Sequence, residues 1–164
     1  MRPGGGFAER LRLAAPLHDI GKIGIPDSIL NKPGRLTPDE RTVIETHCAI
    51  GAQILEGAQS DVLAMAKTVA STHHERWDGA GYPNGLAAEG IPLEGRIVAI
   101  IDVFDALISE RCYKPAFSFE KSRNIIIEGA GTQFDPKLVE LFQSLEGEIR
   151  SIMERLPGGT SAQR

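Results

Sequence analysis

Four histidines are the residues of this sequence best suited to chemistry, and three of them lie beside a second polar group. His18 is followed directly by Asp19, and His73 and His74 are adjacent. His47 lies on the apolar face of a predicted helix, between Ile44 and Ile50. Neutral imidazoles and carboxylates are common metal ligands. A carboxylate in an apolar passage is costly unless it is paired or binds a cation. These residues are therefore candidates for a metal site.

Asp102 is a further candidate because it interrupts the most apolar run of the chain, residues 96–108. Ile and Val residues flank it on both sides. An unpaired carboxylate in such surroundings is destabilising or becomes protonated, so a cation partner is expected. Arg96 could be that partner, but it lies six residues away, which is more than one helical turn.

Each candidate also has a purely structural interpretation. A histidine at a helix end commonly caps backbone carbonyls. Asp19 could cap the turn that follows it, and His47 could be a core histidine whose hydrogen bonds are satisfied. The basic, aromatic segment 111–114 could be a solvated loop.

Taken together, the nitrogen and oxygen ligands are too many for one zinc ion and include no cysteine. They suit two divalent ions such as Fe, Mn or Ni, with Asp19 able to bridge them. Two neighbouring metals commonly hydrolyse phosphoesters. Lys22, Arg111 and Lys114 would supply local positive charge for a phosphate. The candidate ligands are His18, Asp19, His47, His73, His74 and Asp102.

Helices must position these side chains. Residues 61–72 form a predicted helix that delivers His73 and His74 to a loop punctuated by Gly79, Gly81 and Pro83. Thr37, Ser60, Ser118 and Asp135 are predicted helix caps, and Thr37 with Glu40 forms a predicted capping box. A buried strand would also fit residues 93–108, but its length favours a helix. The other predicted helices span 7–17, 38–56, 118–130 and 136–154, with a short turn at 27–30.

Composition sets limits on the class of protein. The chain has 164 residues, enough for one domain, and a net charge of −4, which argues against nucleic-acid binding. Cys48 and Cys112 are too few for a disulfide scaffold and suggest buried thiols in a reducing compartment. No run is long and apolar enough to cross a membrane, and no signal peptide is evident. We therefore expect a cytoplasmic location, with residues 1–6 and 157–164 disordered.

The sequence resembles the HD-GYP domain, a subfamily of the HD-domain phosphohydrolases, over about residues 7–145. Several motifs in the correct order make the resemblance specific. The matching motifs are His18-Asp19-Ile20-Gly21-Lys22, His47 with Gly51, His73-His74-Glu75 with Asp78-Gly79, Gly81-Tyr82-Pro83, residues 102–107, Arg111 with Tyr113-Lys114, and Phe134-Asp135-Pro136.

The resemblance implies an all-α helical bundle of about five to seven helices over residues 7–156. It implies a bacterial, metal-dependent phosphodiesterase that hydrolyses cyclic di-GMP to pGpG and often to GMP. The six candidate ligands would hold the metals, and Lys22 would contact phosphate or the leaving group. Gly81 and Tyr82 would line the substrate pocket, and Arg111 and Lys114 would contact phosphate or guanine. In some members the Gly-Tyr-Pro loop also contacts GGDEF-domain proteins.

Two departures from the family pattern qualify these expectations. The family helix that precedes the His-Asp helix is absent, so we expect a domain truncated at its N-terminus, with no third metal and an upstream sensory or receiver module in the parent protein. Exposed apolar surface on the open side would favour a homodimer. Cys112 stands where the family commonly has proline. The alternatives are a regulatory or protein-interaction module with an incomplete site, and a hydrolase of another nucleotide.

Overall fold

A computed structural model of the chain describes residues 6–110 and 115–155. Within these residues the secondary structure is helical, and only an isolated bridge joins Ala130 and Phe134. The predicted all-α class is confirmed. The α-helices are α1 Phe7–Ala14, α2 Asp27–Leu30, α3 Pro38–Glu45, α4 His47–Ile54, α5 Asp61–Thr72, α6 Leu93–Ile108, α7 Phe119–Glu128, α8 Pro136–Ser144 and α9 Glu146–Arg155.

Three 3-10 helices connect these elements, at Ala15–Leu17, Ile20–Gly24 and Ala88–Gly90. The sequence had placed residues 15–17 in a continuous first helix. No helix of the described residues is both long and apolar enough to cross a membrane. The expectations for Arg111, Cys112 and Lys114, and for most of the two termini, lie outside the described residues.

The predicted caps are present at the start of four helices. The Thr37 hydroxyl accepts a hydrogen bond from the Glu40 amide, and the Glu40 carboxylate accepts one from the Thr37 amide, which completes the capping box. The side chains of Ser60, Ser118 and Asp135 likewise accept a hydrogen bond from a backbone amide in the first turn of α5, α7 and α8. Such caps satisfy amide groups that have no partner inside the helix.

Two predicted helices are each divided in two, and the turn predicted at 27–30 is the short helix α2. The described residues therefore contain nine α-helical segments, where about five to seven helices were predicted. At the first break the Thr46 hydroxyl donates to the Val43 carbonyl at 2.6 Å. At the second, the Ser144 hydroxyl donates to the Leu141 carbonyl at 2.7 Å. Side-chain hydroxyls that bind carbonyls of the preceding turn compete with the backbone hydrogen bonds of a helix. The predictions of single helices over 38–56 and 136–154 were therefore wrong.

Helix α5 lies at the centre of the fold and packs against α1, α4 and α6. Its buried face supplies most of the first of two apolar clusters. The second cluster joins α6, α7 and α8. Because α5 is fixed on three sides, the histidines that follow it have defined positions. The first cluster contains Ala14, Leu55, Met65, Ala66, Val69, Ala70 and Val98. The second contains Ile100, Phe104, Ile126, Phe134, Val139 and Phe142.

The apolar residues of the last two helices recur at helical spacing, which predicts that they all face inward, but the structure buries this face only in part. Val139 and Phe142 belong to the second cluster, and Leu138 and Ile149 pack against it. The prediction was wrong for three residues that are about half exposed because they lie on the outer side of these helices. These residues are Leu141, Leu145 and Ile152.

Gly21 allows the second 3-10 helix to lie directly against α4. A Cβ atom at Gly21 would lie 2.0 Å from the His47 carbonyl oxygen and 2.4 Å from the Gly51 nitrogen. On the other side, a Cβ atom at Gly51 would lie 3.2 Å from the Ala70 Cβ. Gly51 therefore permits the close approach of α4 to α5 and to the second 3-10 helix.

We predict that Gly21→Ala destabilises the protein by about 1–3 kcal/mol, because the added methyl group meets backbone atoms that cannot move separately. Denaturant unfolding measures this change. Gly147→Ala is the matched control, since nothing lies within 4 Å of a Cβ atom there and alanine favours the helix. Equal stability of the two variants would contradict the packing described for Gly21.

Candidate metal centre

Five helical elements, of which α6 carries Asp102, bring the six candidate ligands to one place. His18 ends the first 3-10 helix, and Asp19 precedes the second. His47 begins α4, and His73 follows α5 directly. Asp19, His47, His73 and His74 each offer a ligand atom, and these atoms all lie within 4.8 Å of one another. His18 and Asp102 adjoin this group through the contacts described below.

Backbone carbonyls fix the orientation of three imidazole rings. The Nδ1 atom of His18 lies 2.8 Å from the Ala15 carbonyl oxygen. The corresponding Nδ1 distances are 2.6 Å from His47 to Ile44 and 3.1 Å from His73 to Val69. A carbonyl oxygen only accepts hydrogen bonds, so Nδ1 carries the proton in each ring and Nε2 is left to face the other ligands.

The Nε2 atoms of His47 and His73 lie 3.5 Å apart in the buried interior. In neutral rings that donate through Nδ1, both of these atoms carry lone pairs, which repel each other at this distance. A cation between them would remove the repulsion. The structural interpretations account for Nδ1 only: His73 Nδ1 caps a carbonyl of α5, and His47 Nδ1 satisfies a core carbonyl. They leave the Nε2 atom of each ring unexplained.

Asp19 supplies an oxygen that has no hydrogen-bond partner in the described structure. Its Oδ1 atom is buried and lies 3.4 Å from the Nε2 atom of His47 and 3.8 Å from that of His73. Its side chain does not cap the following 3-10 helix. A buried carboxylate oxygen beside two imidazole lone pairs is unfavourable without a cation. The residues present therefore fit a divalent metal ion.

His18 connects Asp19 with Asp102. Its Nε2 atom lies 3.3 Å from Asp19 Oδ2 and 3.5 Å from Asp102 Oδ1. Hydrogen bonds with Asp102 and then with Asp19 raise the pKa of His18 to about 10. Arg96, the alternative partner of Asp102, instead forms an ion pair at 2.7 Å with the buried Asp135. In the absence of metal, a protonated His18 therefore balances the two carboxylates.

His73 and His74 are held in the neutral form that binds metals. Burial lowers the pKa of His73 to about 4 and that of His74 to about 3. Burial opposes ionisation of Asp19 and Asp102, but hydrogen bonds with His18 outweigh it, and the pKa of each carboxyl is lowered. At neutral pH the site therefore offers two neutral imidazoles, those of His73 and His74, and two ionised carboxylates beside the protonated His18.

Lys22 lies at the solvent edge of the ligand group. Its Nζ atom is 2.5 Å from Asp19 Oδ2, and its side chain is 40% exposed. The ammonium group therefore reaches both the ligand carboxylate and the solvent. This position would let it contact a phosphate or a leaving oxygen that approaches Asp19.

Gly81 and Tyr82 line a cavity of about 360 Å³ beside His73 and His74. The ring of Tyr82 lies 4.8 Å from that of His74 at an interplanar angle of 31°. A Cβ atom at Gly81 would lie 2.4 Å from the Arg76 nitrogen, so only glycine fits here. Burial raises the pKa of the Tyr82 hydroxyl, which therefore stays protonated.

Glu75 has a role that the sequence analysis did not assign. Its side chain is buried and accepts hydrogen bonds from the Asn84 amide at 2.7 Å and the Leu86 amide at 3.0 Å. It therefore holds the loop that carries Gly81 and Tyr82 against the histidine pair. A carboxylate placed just before a long loop rich in glycine and proline is the signal that could have indicated this role.

Cys48 also lies at the site, although the sequence predicted only a buried thiol. Its Sγ atom is 3.6 Å from the Nε2 atom of His47. Burial raises the pKa of this thiol to about 12, so it is protonated at neutral pH. A protonated thiol is a poor metal ligand. Arg111 and Lys114, the remaining predicted substrate contacts, lie outside the described residues.

A second cleft, of about 680 Å³, is lined in part by His18 and Asp102. Its remaining walls are mainly apolar side chains of α1 and α6, including Phe7, Leu11 and Ile101. The ligands of the candidate metal centre therefore border both a polar cavity at the Tyr82 loop and an apolar cleft.

Comparison with known proteins identifies relatives of this chain. The "Cyclic di-GMP phosphodiesterase" of Vibrio cholerae is 54% identical over 151 residues, which cover 89% of this chain and 31% of that protein. The "3'3'-cGAMP-specific phosphodiesterase 2" of Vibrio cholerae is 45% identical over 150 residues, which cover 92% of this chain and 29% of that protein. The chain thus spans about a third of the length of these curated relatives.

A solved structure of a cyclic GMP-AMP specific phosphodiesterase from Vibrio cholerae has the same fold. The TM-score is 0.63 at 24% sequence identity, and the match covers 91% of this chain and 40% of the other. The family model described as "HD domain" matches residues 5–138. The chain belongs to the HD-domain family, as its resemblance to HD-GYP domains predicted.

Proposed function

We propose that this chain is the catalytic domain, over residues 7–156, of a metal-dependent phosphodiesterase that hydrolyses cyclic di-GMP to pGpG, GMP or both. Two divalent transition-metal ions, of Fe, Mn or Ni, are its cofactors. The observation that carries the proposal is the Oδ1 atom of Asp19, which has no hydrogen-bond partner among the described residues and lies beside the facing Nε2 atoms of His47 and His73. Relatives with the activity in their names support the choice of substrate.

The ligand geometry supports two ions rather than one. One group of ligand atoms converges within 4.8 Å, and a second pair, His18 and Asp102, adjoins it across the other oxygen of Asp19. Asp19 thus faces both sets and would bridge the ions. When bound, such ions supply a water of low pKa and neutralise phosphoryl oxygens.

The protein's own residues would orient the phosphodiester and manage the leaving group. Lys22, held at the solvent edge by Asp19, would contact the phosphate and give a proton to the 3′ oxygen as its bond to phosphorus breaks. Water forms the new bond to phosphorus, so the product is the linear dinucleotide. Gly81 and Tyr82, with Arg111 and Lys114, would hold the remainder of the substrate.

Cyclic GMP-AMP is a second candidate substrate, because a relative 45% identical to this chain is named as specific for it. Initial rates with cyclic di-GMP, 3′3′-cGAMP and cyclic di-AMP at equal concentrations would decide between them. Failure to cleave any of the three after loading with Mn²⁺ or Fe²⁺ would favour a regulatory module over an enzyme.

The wider setting is also part of the proposal. An upstream sensory or receiver domain agrees with the fraction of each relative that the chain spans, and one relative is named a response regulator. The Gly-Tyr-Pro loop lies at the surface of the site and could contact a GGDEF-domain protein. A cytoplasmic location and a homodimer, both expected from the sequence, complete the proposal.

We predict that Asp19→Asn removes bound metal and lowers cyclic di-GMP hydrolysis at least a hundredfold, because the bridging oxygen loses its charge. Metal analysis by mass spectrometry on protein purified without chelator, together with initial rates, measures both. Unfolding curves check that the variant is folded. An unchanged metal content would contradict the assignment of Asp19 as the bridge.

Asp102→Asn should also lower the metal content, since Asp102, which lies on α6 beside His18, would be one of the metal ligands. Asp105→Asn is its matched control, because Asp105 is exposed one turn later on the same helix. Metal analysis of the pair should show a loss for the first variant and none for the second. If Asp102→Asn only unfolds the protein, Asp102 is structural.

Lys22→Met should keep the metal and lower kcat by about 10²- to 10⁴-fold, which is the usual contribution of a positioned proton donor. The measurement combines metal analysis with steady-state kinetics. A variant that loses metal in proportion to its activity would show that Lys22 acts by positioning Asp19.

Metal affinity should rise with pH. His18 is protonated below its raised pKa of about 10, whereas His73 and His74 are already neutral at pH 7. Binding at His18 therefore releases one proton, and the apparent Kd for Mn²⁺ should fall about tenfold per unit rise in pH between 6 and 8. Calorimetric titration at several pH values tests this. A pH-independent Kd would exclude His18 as a ligand.

A further inference from the structure

The polar cavity beside Tyr82 contains two charged side chains that the proposed reaction leaves unused. Arg41 and Glu45 lie one turn apart on α3, so they project from the same helix face. Both line the cavity of about 360 Å³ together with His74, Gly81 and Tyr82. They therefore lie next to the candidate metal centre without belonging to it.

Neither side chain is engaged in the described part of the chain. Arg41 is exposed and Glu45 is half-buried, and the side chain of neither makes a hydrogen bond or an ion pair with another described residue. Arg76, the other cation in this cavity, is neutralised by two hydrogen bonds to Asp78. Arg41 and Glu45 thus offer a free donor fork and a free acceptor pair.

These two groups together match one nucleobase. A guanidinium fork binds the O6 and N7 acceptors of guanine in a bidentate manner. A carboxylate only accepts hydrogen bonds, and guanine presents N1–H and N2–H donors side by side on its pairing edge. Adenine presents an acceptor, N1, beside a single donor on the same edge, so a carboxylate would face a lone pair there.

We propose that Arg41 and Glu45 form a guanine-reading pair that selects the base of the nucleotide held in this cavity. This inference rests on the proposed function and makes it more specific, since it names the residues that select cyclic di-GMP over an adenine-containing analogue. The base would lie beside Tyr82 while a phosphate reaches the ligand group across His74.

Glu45→Gln is the principal test. The glutamine side chain has the same shape but offers one acceptor and one donor, which match adenine instead of guanine. The ratio of affinities for cyclic di-GMP and cyclic di-AMP should therefore fall by at least about tenfold, the scale of one lost bidentate contact. Equilibrium binding is measured on the full chain in EDTA, where no turnover occurs.

Arg41→Lys separates base reading from simple charge attraction. Lysine keeps the positive charge but loses the planar fork. If Arg41 reads guanine, cyclic di-GMP should bind about tenfold more weakly while cyclic di-AMP is little affected. If both affinities stay at the wild-type value, Arg41 acts only as a charge near a phosphate, and the proposal fails.

Asp39→Asn is the matched control, because it removes one negative charge from the same helix at an exposed position outside the cavity. It should leave both affinities unchanged. Bis(p-nitrophenyl) phosphate has no nucleobase. Its hydrolysis by the Mn²⁺-loaded chain should therefore be equal in the wild type and in all three variants. A loss of this activity in Glu45→Gln would place Glu45 in the metal site and overturn the proposal.

The binding data also separate this inference from the proposed function. Guanine preference that depends on Glu45, in a chain that hydrolyses no cyclic dinucleotide, would support base reading and refute the enzymatic assignment. Equal affinity of the wild type for the two dinucleotides, or binding of neither, would overturn the guanine-reading pair even if the chain is an active phosphodiesterase.

Discussion

The site depends on hydrogen bonds between imidazole Nδ1 atoms and backbone carbonyls. His18, His47 and His73 each bind the carbonyl of a residue three or four positions earlier, near a helix end. Each bond fixes both the tautomer and the direction of the ring, and it leaves Nε2 for the interior of the site. The facing Nε2 atoms and the unpartnered oxygen of Asp19 are consequences of this arrangement. A cation resolves both unfavourable features at once.

Close packing of the backbone brings those helix ends together. Gly21 lets the segment carrying His18 and Asp19 rest on the first turn of α4, directly against the His47 carbonyl. Helix α5 is held between α1, α4 and α6, so His73 and His74 at its end lie close to Asp19 and His47. The loop after them is tied down by the buried carboxylate of Glu75. The ligands border two cavities, the polar one that contains Arg41 and the apolar cleft beside His18 and Asp102.

Much of the local structure was predictable because its causes are local. The caps at Thr37, Ser60, Ser118 and Asp135 act within a turn, and the helix over 61–72 has the predicted bounds. The breaks at Thr46 and near Ser144 were missed, because a hydroxyl can face solvent or the preceding carbonyl and the sequence does not say which.

For the functional residues, the sequence by itself determined the chemical inventory: imidazoles and carboxylates in passages where they are costly unless paired, and the family motifs that contain them. Only the tertiary structure decided the partners. It joined Asp102 to His18 and Arg96 to Asp135, and it placed the Arg41 side chain at the cavity with no ion-pair partner among residues 6–110 and 115–155. These choices depend on contacts between elements far apart in the chain, whereas spacing along one helix reports only which side chains share its face.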